Sequence, residues 1–373
     1  MTKQNKAFKF RLYPNKEQEE LLSKTFGCVR FVYNKMLAER KETYEKFKDD
    51  KETLKKQKFP TPAKYKDEFP FLKEVDSLAL ANAQIHLQNA YKNFFEGRAE
   101  FPKFKSKKHK QSYTTNMVNG NIKIEDGHIK LPKFKKPLKM KQHREIPAEY
   151  KIKSCTISKT KTGKYYISIL TEYEKETTTV NIQHVVGLDF AMDGLYVDSE
   201  KGKRANYPRF YRQALDKLAK AQRILSRRKK GSARWEKQRL KVAKLQEKIA
   251  NQRKNFLHHK SKELASTYEA VIIEDLDMKG MSQALHFGKS VTDNAWGMFT
   301  TFLQYKLEEQ GKKLIKIDKW FPSSKTCSCC GRVKESLSLS ERTFRCDCGF
   351  VADRDWNASI NIKHEGLRLL GLV

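Results

Sequence analysis

The feature that most constrains the fold is a group of five cysteines within a short segment of this 373-residue chain. The five are Cys327, Cys329, Cys330, Cys346 and Cys348. Paired thiolates on two glycine-containing turns close a tetrahedral zinc site in small units that cannot bury a core of their own. We therefore predict a Cys₄ zinc ribbon over residues 323–351, with one structural Zn²⁺ ion. Reduced cysteines without metal are the alternative.

The spacing within the second cysteine pair leaves one zinc ligand open. We assign the site to Cys327, Cys330, Cys346 and Cys348. The second pair is spaced C-x-C instead of C-x-x-C, and Cys329 offers a surplus thiol. The sequence therefore predicts the metal more firmly than it predicts the fourth ligand.

The charge of the chain points to a polyanionic partner. Lys and Arg number 77 against 44 Asp and Glu, which gives a formal net charge of +33. With 38% hydrophobic and 11% aromatic residues, the composition is that of a folded protein and not of a disordered basic tail. A basic folded surface of this kind favours nucleic acid binding. No apolar run reaches the roughly 18 residues of a membrane helix, and we expect a cytoplasmic protein.

The first half of the chain alternates between strand and helix patterns. Period-two alternation over 7–13 predicts a strand, and a capping box at Asn15 and a cap at Ser77 predict two helices. Beyond about residue 101, Asp126-Gly127 predicts a type I′ hairpin, and Thr162-Gly163 predicts a second hairpin. If the first strand joins these hairpins, a helical segment is inserted into a β domain.

The second half of the chain contains apolar strands that carry single carboxylates. Asp189 lies in the run 185–190, Glu274 ends the run 270–274, and 313–317 is a further strand. A strongly basic helical pair spans 208–265 and breaks near Gly231. We therefore expect a second domain that starts near residue 181.

Three acids, Asp189, Glu274 and Asp355, form the second chemical constellation. A buried carboxylate is costly unless it meets a cation or a donor. Carboxylates that face each other at strand ends and on a helix can hold two Mg²⁺ ions for phosphodiester hydrolysis. Asp275 and Asp277 are rivals to Glu274, but Asp275 would point to the opposite face of its strand.

Several segments together resemble the TnpB (OrfB) family of insertion-sequence RNA-guided endonucleases, which is related to the type V CRISPR effectors. The most specific segments are Gly187-Leu-Asp189, Ile273-Glu274-Asp-Leu276, Phe321-Pro-Ser-Ser-Lys-Thr-Cys327-Ser-Cys-Cys330-Gly331 and Cys348-Gly-Phe-Val-Ala-Asp353-Arg-Asp355-Trp-Asn357-Ala358. Less specific segments are Phe10-Arg-Leu-Tyr-Pro14 and Phe101-Pro-Lys-Phe-Lys105. The resemblance spans nearly the whole chain.

The resemblance implies an α+β or α/β multidomain fold. Residues 181–373 would form an RNase H-like nuclease domain of RuvC type, with the basic helical hairpin and the ribbon inserted. Residues 1–13 and 101–180 would form a wedge-like β-barrel, interrupted by a helical recognition module over 14–100. The family binds a guide RNA and cuts complementary double-stranded DNA, and a monomer with one RNA is expected, acting at the bacterial nucleoid.

The resemblance also implies roles for single residues. Asp189, Glu274 and Asp355 would be the catalytic triad that binds two Mg²⁺ ions, and Asn357 could orient that site through its amide. Basic clusters would hold the phosphates of the guide–target heteroduplex without reading its sequence. The candidate contacts are Lys105, Lys107, Lys108, Lys135, Arg227, Arg228 and Lys229.

Three other functions are compatible with parts of the pattern. A guide-independent nuclease for branched DNA would share the acids, and a catalytically silent DNA-binding protein associated with transposition would share the architecture. A basic RNA-associated protein could carry a structural ribbon. The three acids together argue against the last two.

Overall fold

A computed structural model describes residues 2–108, 110–176, 180–284, 293–338 and 340–372. The chain divides into two compact units, Met1–Glu176 and Thr177–Val373. None of the described helices combines the length and the apolar character needed to cross a membrane.

The first unit is built on a seven-stranded antiparallel sheet in the order β2-β6-β7-β1-β5-β4-β3. Its strands are β1 Thr2–Tyr13, β2 Gln111–Asn116, β3 Lys123–Glu125, β4 His128–Lys130, β5 Leu138–Lys141, β6 Lys151–Lys159 and β7 Tyr165–Lys175. The order is linear and ends at β2 and β3, so over the described residues the sheet is an open half-barrel. This half-barrel is the part of the expected wedge-like β-barrel that the structure shows.

Both predicted hairpins are confirmed, and the first strand of the chain joins the same sheet, as predicted. Asp126 and Gly127 have φ values of 46° and 70°, as a type I′ turn between β3 and β4 requires. β1 pairs antiparallel with β7 from Thr2 opposite Lys175 to Leu12 opposite Tyr165. A strand from the start of the chain thus lies at the centre of a sheet whose other strands follow residue 110.

The helices of the first unit follow β1 and precede β2 along the chain. They are α1 Lys16–Phe47, α2 Lys51–Lys56, α3 Tyr65–Glu68, a 3₁₀ turn Pro70–Glu74 and α4 Ser77–Phe95. The capping box at Asn15 is confirmed, with Gln18 as its partner. The predicted cap at Ser77 is wrong by one residue, because Asp76 accepts the N–H of Leu78 at 3.0 Å and Ser77 is already helical.

The helices and the sheet of the first unit share one hydrophobic core. Phe10 of β1, Leu22 of α1 and Leu80 of α4 are all buried in the same cluster. The helical segment 14–100 therefore shares its core with the sheet instead of forming a separate one.

The second unit contains a four-stranded sheet in the order β11-β10-β8-β9. Its strands are β8 Val185–Phe190, β9 Tyr196–Asp198, β10 Ala270–Glu274 and β11 Lys313–Ile317, and a separate hairpin pairs β12 Thr343–Arg345 with β13 Val351–Asp353. Its helices are α5 Phe210–Ser226, α6 Ala233–Thr267, α7 Met278–Ala284, α8 Trp296–Glu309 and α9 Arg354–Leu369. Strands β8, β10 and β11 are parallel, and β9 is antiparallel to β8.

Helices cover both faces of this sheet, which explains why β8 and β10 are almost wholly apolar. On one face, Leu188 and Ile273 pack with residues of α6 and α8 such as Phe299. On the other face, Ile272 packs with Ile362 of α9. The helical pair predicted over 208–265 is confirmed as α5 and α6, which are joined at Gly231 with φ of 86°.

Candidate active site

Asp189 and Glu274 lie at the carboxyl ends of two adjacent parallel strands. Leu188 of β8 is opposite Ile273 of β10, and the next residue of each strand is the carboxylate. Ligand sites of open α/β sheets form outside this edge. The sheet register therefore brings two of the three predicted acids side by side.

Helix α9 brings the third acid to the same edge. A Cβ atom at Gly187 would lie 2.2 Å from the carbonyl oxygen of Ser359 and 2.6 Å from the amide nitrogen of Lys363, so α9 rests directly on β8. Asp355 lies one turn before Ser359 on the same helical face. Further along the helix Gly366 packs against Ile272, the residue of β10 that pairs with Gly187, so α9 crosses from β8 to β10. The negative charge of Asp355 acts on Asp189, which places the first turn of α9 near the carboxylates of this edge.

The three carboxylates share one electrostatic environment. Burial raises the pKa of Asp189 well above its usual range, and the negative charges of Glu274 and Asp355 raise it further. Burial also raises the pKa of Glu274, and a hydrogen bond from Ser323 partly opposes that rise. Because burial and two neighbouring negative charges disfavour the ionised form of Asp189, a bound cation would favour that form.

Ser323, which the sequence analysis did not assign, positions Glu274. Its hydroxyl donates to Glu274 Oε1 at 2.6 Å, and its carbonyl accepts from Asn361 Nδ2 of α9 at 2.8 Å. The only sequence signal was its place in the segment that follows Phe321.

Arg204 is a second residue that the sequence analysis did not assign. Its guanidinium donates to Asp355 Oδ2 and to Asp193 Oδ1, each at 2.7 Å, and lies 3.8 Å from Asp353. The contact fixes the orientation of Asp355, whose side chain is only 17% exposed. No local pattern marks this arginine in so basic a chain.

The rival acids have other partners. Asp275 is exposed and pairs with Lys316 at 2.8 Å, and Asp277 accepts the N–H of Gly280 at 3.0 Å. Glu274 is therefore the acid of this segment that meets Ser323 at the sheet edge.

The four assigned cysteines come together in a second cluster. Their sulfur atoms all lie within 4.8 Å of one another, with Cys327 and Cys348 3.7 Å apart and Cys330 and Cys346 3.6 Å apart. A tetrahedron with Zn–S bonds of about 2.3 Å has edges of about 3.8 Å, so the donor set fits Zn²⁺. Cys329 is exposed and lies outside the cluster.

Two tight turns make this cluster possible. The N–H of Gly331 donates to the carbonyl of Cys327, and the N–H of Gly349 donates to the carbonyl of Cys346. Both glycines have positive φ, 76° and 88°, a conformation that disfavours other residues. The C-x-C pair thus forms a turn closed by glycine, as the C-x-x-C pair does.

The ribbon is fixed to α9 by two buried asparagines. Asn357 Nδ2 donates to the carbonyl of Thr326 at 2.7 Å, and Asn357 Oδ1 accepts the N–H of Ser328 at 3.0 Å. Asn361 donates to the same Thr326 carbonyl. The amide of Asn357 therefore holds the first cysteine turn and does not contact the carboxylates, which corrects the expectation from sequence.

The second cysteine turn leads directly into the helix that carries Asp355. Strand β13 ends at Asp353, whose side chain accepts the N–H groups of Asp355 and Trp356 and caps α9. The ribbon therefore contacts this helix through its first turn and precedes it in the chain.

Most of the predicted nucleic-acid contacts are exposed. The exposed side chains are those of Lys105, Lys107, Lys108, Lys135, Arg227 and Lys229. Arg228 is partly buried and donates to the carbonyl of Arg234. The ammonium of Lys105 lies 3.8 Å from the ring centroid of Tyr33, and burial there lowers its pKa.

The sheet with three acids at one edge, beside a cysteine ribbon, offers the carboxylate ligands that divalent metal ions prefer. Three segments of the chain match family models. Residues 168–285 match the IS605 OrfB model, described as "Probable transposase", and 296–362 match the "Cas12f1-like, TNB domain" model. Residues 1–49 match a model described as "Helix-turn-helix domain", although the structure here begins with a strand followed by α1.

Relatives over the full length identify the family. A Streptomyces pristinaespiralis protein named "Putative RNA-guided DNA endonuclease" is 36% identical over 98% of this chain and 90% of its own length. The InsQ protein of Escherichia coli K12, which carries the same description, is 30% identical over 99% of this chain and 94% of its own. This chain belongs to the TnpB (OrfB) family of RNA-guided DNA endonucleases.

A solved structure shows the same fold. The Cas12f1 chain of a cryo-EM complex with sgRNA and target DNA matches with a TM-score of 0.63 at 13% identity, over 97% of this chain and 99% of that chain. At this identity, the match supports the fold alone.

Proposed function

We propose that this chain is an RNA-guided endonuclease of an insertion sequence, which cuts double-stranded DNA complementary to a bound guide RNA. The observation that carries the proposal is the meeting of Asp189, Glu274 and Asp355 at one sheet edge in a chain 36% identical to a relative of that name. A silent binding protein would not need a buried carboxylate whose ionised form two further acids disfavour.

We assign the second unit to the RNase H-like class of RuvC type. Its mixed sheet carries acids at the carboxyl ends of β8 and β10, with the third acid on a helix packed across them. In the first unit, 1–13 and 101–180 would form the wedge and 14–100 the recognition module. The ribbon over 323–351 would be an insertion in the nuclease domain.

The donor chemistry at the sheet edge fits Mg²⁺. Carboxylate oxygens are the ligands this ion prefers, and burial together with the charges of Glu274 and Asp355 raises the pKa of Asp189. Two bound Mg²⁺ ions would activate water and stabilise the leaving oxygen in phosphodiester hydrolysis.

The residues of the chain prepare this site. The negative charges of Glu274 and Asp355 both act on Asp189. Asp189 would therefore contact both ions, while Glu274 and Asp355 would each complete one coordination sphere. The hydrogen bond from Ser323 favours the ionised form of Glu274 and orients its carboxylate, and Arg204 fixes Asp355. No covalent enzyme intermediate is required.

The cysteine cluster would hold one structural zinc ion. Four thiolates leave no coordination position for water or substrate. Its role would be to order the ribbon against α9 through Asn357 and Asn361.

The basic surface would bind the guide RNA and its heteroduplex with the target. A charge of +33 gives affinity for phosphates that does not depend on the nucleotide sequence. Base pairing between guide and target would therefore determine which DNA sequence is bound. Among the described basic side chains, we assign these contacts to Lys107, Lys108, Lys135, Arg227 and Lys229, with Lys105 and Arg228 in supporting positions. One chain would bind one RNA and act on DNA in the cytoplasm, at the nucleoid.

The test is to purify the full chain from cells that carry its own locus and to sequence the bound nucleic acid. We expect one dominant RNA that ends in a variable segment. Reprogramming that segment should direct Mg²⁺-dependent cutting of a matching duplex, and Asp189→Ala should abolish cutting while leaving the RNA bound.

Other outcomes would favour the other functions. Heterogeneous host RNA or DNA in the purified protein, with cutting that ignores the variable segment, indicates a guide-independent nuclease. A defined RNA with no cutting by the wild-type chain indicates a silent binding protein.

A further inference from the structure

The most exposed tryptophan of the second unit stands next to the carboxylate site. Trp320 exposes 80% of its surface and lies in the loop between β11 and the cysteine ribbon. An exposed indole offers a large flat π surface that is available for stacking on a ligand.

Both ends of this loop are attached to Glu274. Ile317, the last residue of β11, is opposite Glu274 in the parallel register. Ser323, at the other end, donates to the Glu274 carboxylate at 2.6 Å. Trp320 is three residues from each of these points, and three residues span at most about 11 Å. The indole is therefore carried by a short loop at the catalytic edge.

The loop is ordered by its own hydrogen bonds. The side chain of Asp318 accepts the N–H of Trp320 at 2.7 Å, and its carbonyl accepts the N–H of Phe321 at 3.1 Å. The ammonium of Lys319 lies 5.0 Å from the centroid of the indole. The turn thus holds an aromatic face and a cation at the surface without burying the tryptophan.

We propose that Trp320 stacks on a nucleobase of the DNA strand that enters the carboxylate site, and so positions the scissile phosphate. This inference rests on the proposed function. An aromatic side chain can stack on any base, because every base has a flat π face. Such a contact suits a nuclease whose target sequence is determined by base pairing with a guide. Lys319 supplies a positive charge for a neighbouring phosphate. Trp320 is then a strand-positioning residue that does not touch the reacting atoms.

The experiment uses the full chain loaded with its guide RNA. Single-turnover cleavage of a matched duplex is compared for wild type, Trp320→Ala and Trp320→Phe, with Leu369→Ala as control. Leu369 is also exposed, but it lies at the opposite end of α9 from Asp355. We expect Trp320→Ala to slow cleavage by roughly ten-fold or more, the range of one base-stacking contact, and Trp320→Phe to keep most of the rate.

A second readout separates stacking from a merely structural role. Single abasic positions are placed in turn through the target strands around the cut sites. At one position the missing base should slow the wild type as much as Trp320→Ala slows it on intact DNA, and should not slow Trp320→Ala further. Target binding, measured in EDTA, should stay unchanged in the variant.

Each other result overturns the inference. Wild-type cleavage by Trp320→Ala excludes a role in strand positioning and leaves the proposed function intact; it is also the result expected if the indole serves a protein partner. If removal of a base slows Trp320→Ala as much as it slows the wild type at every position tested, stacking of Trp320 on a base is excluded. A wild-type chain that never cuts guided targets removes both proposals.

Discussion

The hydroxyl of Ser323 lies 2.6 Å from Glu274 Oε1, and the contact joins the base of the ribbon to the carboxylate edge of the sheet. The carbonyl of the same serine accepts from Asn361 on the helix that carries Asp355. One residue therefore sets the relative placement of a strand acid and a helix acid. Loss of this contact should change both the ionisation of Glu274 and its position relative to Asp355.

Removal of the Ser323 hydroxyl should impair cleavage most at low pH. Burial raises the pKa of Glu274 and the hydrogen bond from Ser323 lowers it, so Ser323→Ala should raise it further. Because the ionised form binds metal, the acid limb of the pH–rate profile should move up by roughly one pH unit, the value of one charged hydrogen bond. Ser324→Ala, which changes the adjacent hydroxyl, is the control. An unchanged acid limb in Ser323→Ala would contradict this role.

Arg204→Gln should tighten Mg²⁺ binding and slow cleavage at saturating Mg²⁺. The variant removes a positive charge 2.7 Å from Asp355, so the Mg²⁺ concentration for half-maximal cleavage should fall by about three-fold or more. The saturated rate should also fall, because Asp355 loses its fixed orientation. Arg209→Gln is the matched control, since Arg209 contacts only the Asp193 carbonyl among these groups. A higher Mg²⁺ requirement in Arg204→Gln would contradict the charge argument.

Gly187→Ala should destabilise the second unit. The added Cβ would meet two backbone atoms of α9 at 2.2 and 2.6 Å, which cannot move as a side-chain end can. We expect a loss of about 3 kcal/mol in the free energy of unfolding. Urea denaturation followed by tryptophan fluorescence measures this unit alone, because all four tryptophans follow residue 176.

Gly297→Ala provides the comparison for that measurement. Gly297 lies in α8 with no atom within 4 Å of an added Cβ, so alanine should be neutral or stabilise the helix by up to about 1 kcal/mol. Equal effects at the two glycines would show that α9 does not rest on β8 as described.

Cys348→Ser should lower the zinc content of the purified chain, whereas Cys329→Ser should leave it at one ion per chain. Cys348 lies 3.7 Å from Cys327 within the cluster, and Cys329 lies outside it. Metal analysis of both variants, with cleavage measured in parallel, checks the assignment. Loss of zinc in Cys329→Ser with retention in Cys348→Ser would reverse the ligand set.

Asp189→Asn should stabilise the metal-free second unit near neutral pH. The folded pKa of Asp189 is raised, so the folded chain binds this proton more tightly than the unfolded chain, and stability is lost as the pH rises above the usual aspartate range. Asparagine cannot ionise, so we expect a gain of about 1–3 kcal/mol at pH 7 in EDTA that shrinks toward pH 4.

Two controls accompany the Asp189→Asn measurement: addition of Mg²⁺ and substitution of a neighbouring acid. Mg²⁺ should narrow the difference by binding the wild type more tightly than the variant. Asp275→Asn, at an exposed position on the same edge, should change stability by less than about 1 kcal/mol. A destabilised Asp189→Asn in EDTA would contradict the raised pKa.

Features set by local sequence were predictable here. The Asp126-Gly127 turn, the apolar runs of β8 and β10, and the two cysteine turns depend on residues close in sequence. The helix cap fell on Asp76 instead of Ser77 because both types can cap, and only the backbone geometry decides.

Contacts between distant segments were not predictable from one sequence. Arg204 meets Asp355, and Ser323 meets Glu274, only because β9, the ribbon and α9 pack around the same sheet edge. Many arginines and serines of the chain have similar local surroundings. The open half-barrel depends likewise on the lengths of strands that pair far from their sequence neighbours.

The order of the three acids along the chain has a consequence during translation. Asp189 and Glu274 are on strands that are made early in the second unit, whereas Asp355 is on α9, after the sheet, the basic helices and both cysteine turns. A nascent or prematurely terminated chain that stops before α9 can carry much of the positive charge and still lack the third carboxylate. Under the proposed function, incomplete products of synthesis would lack one of the three carboxylates that would hold the metal ions.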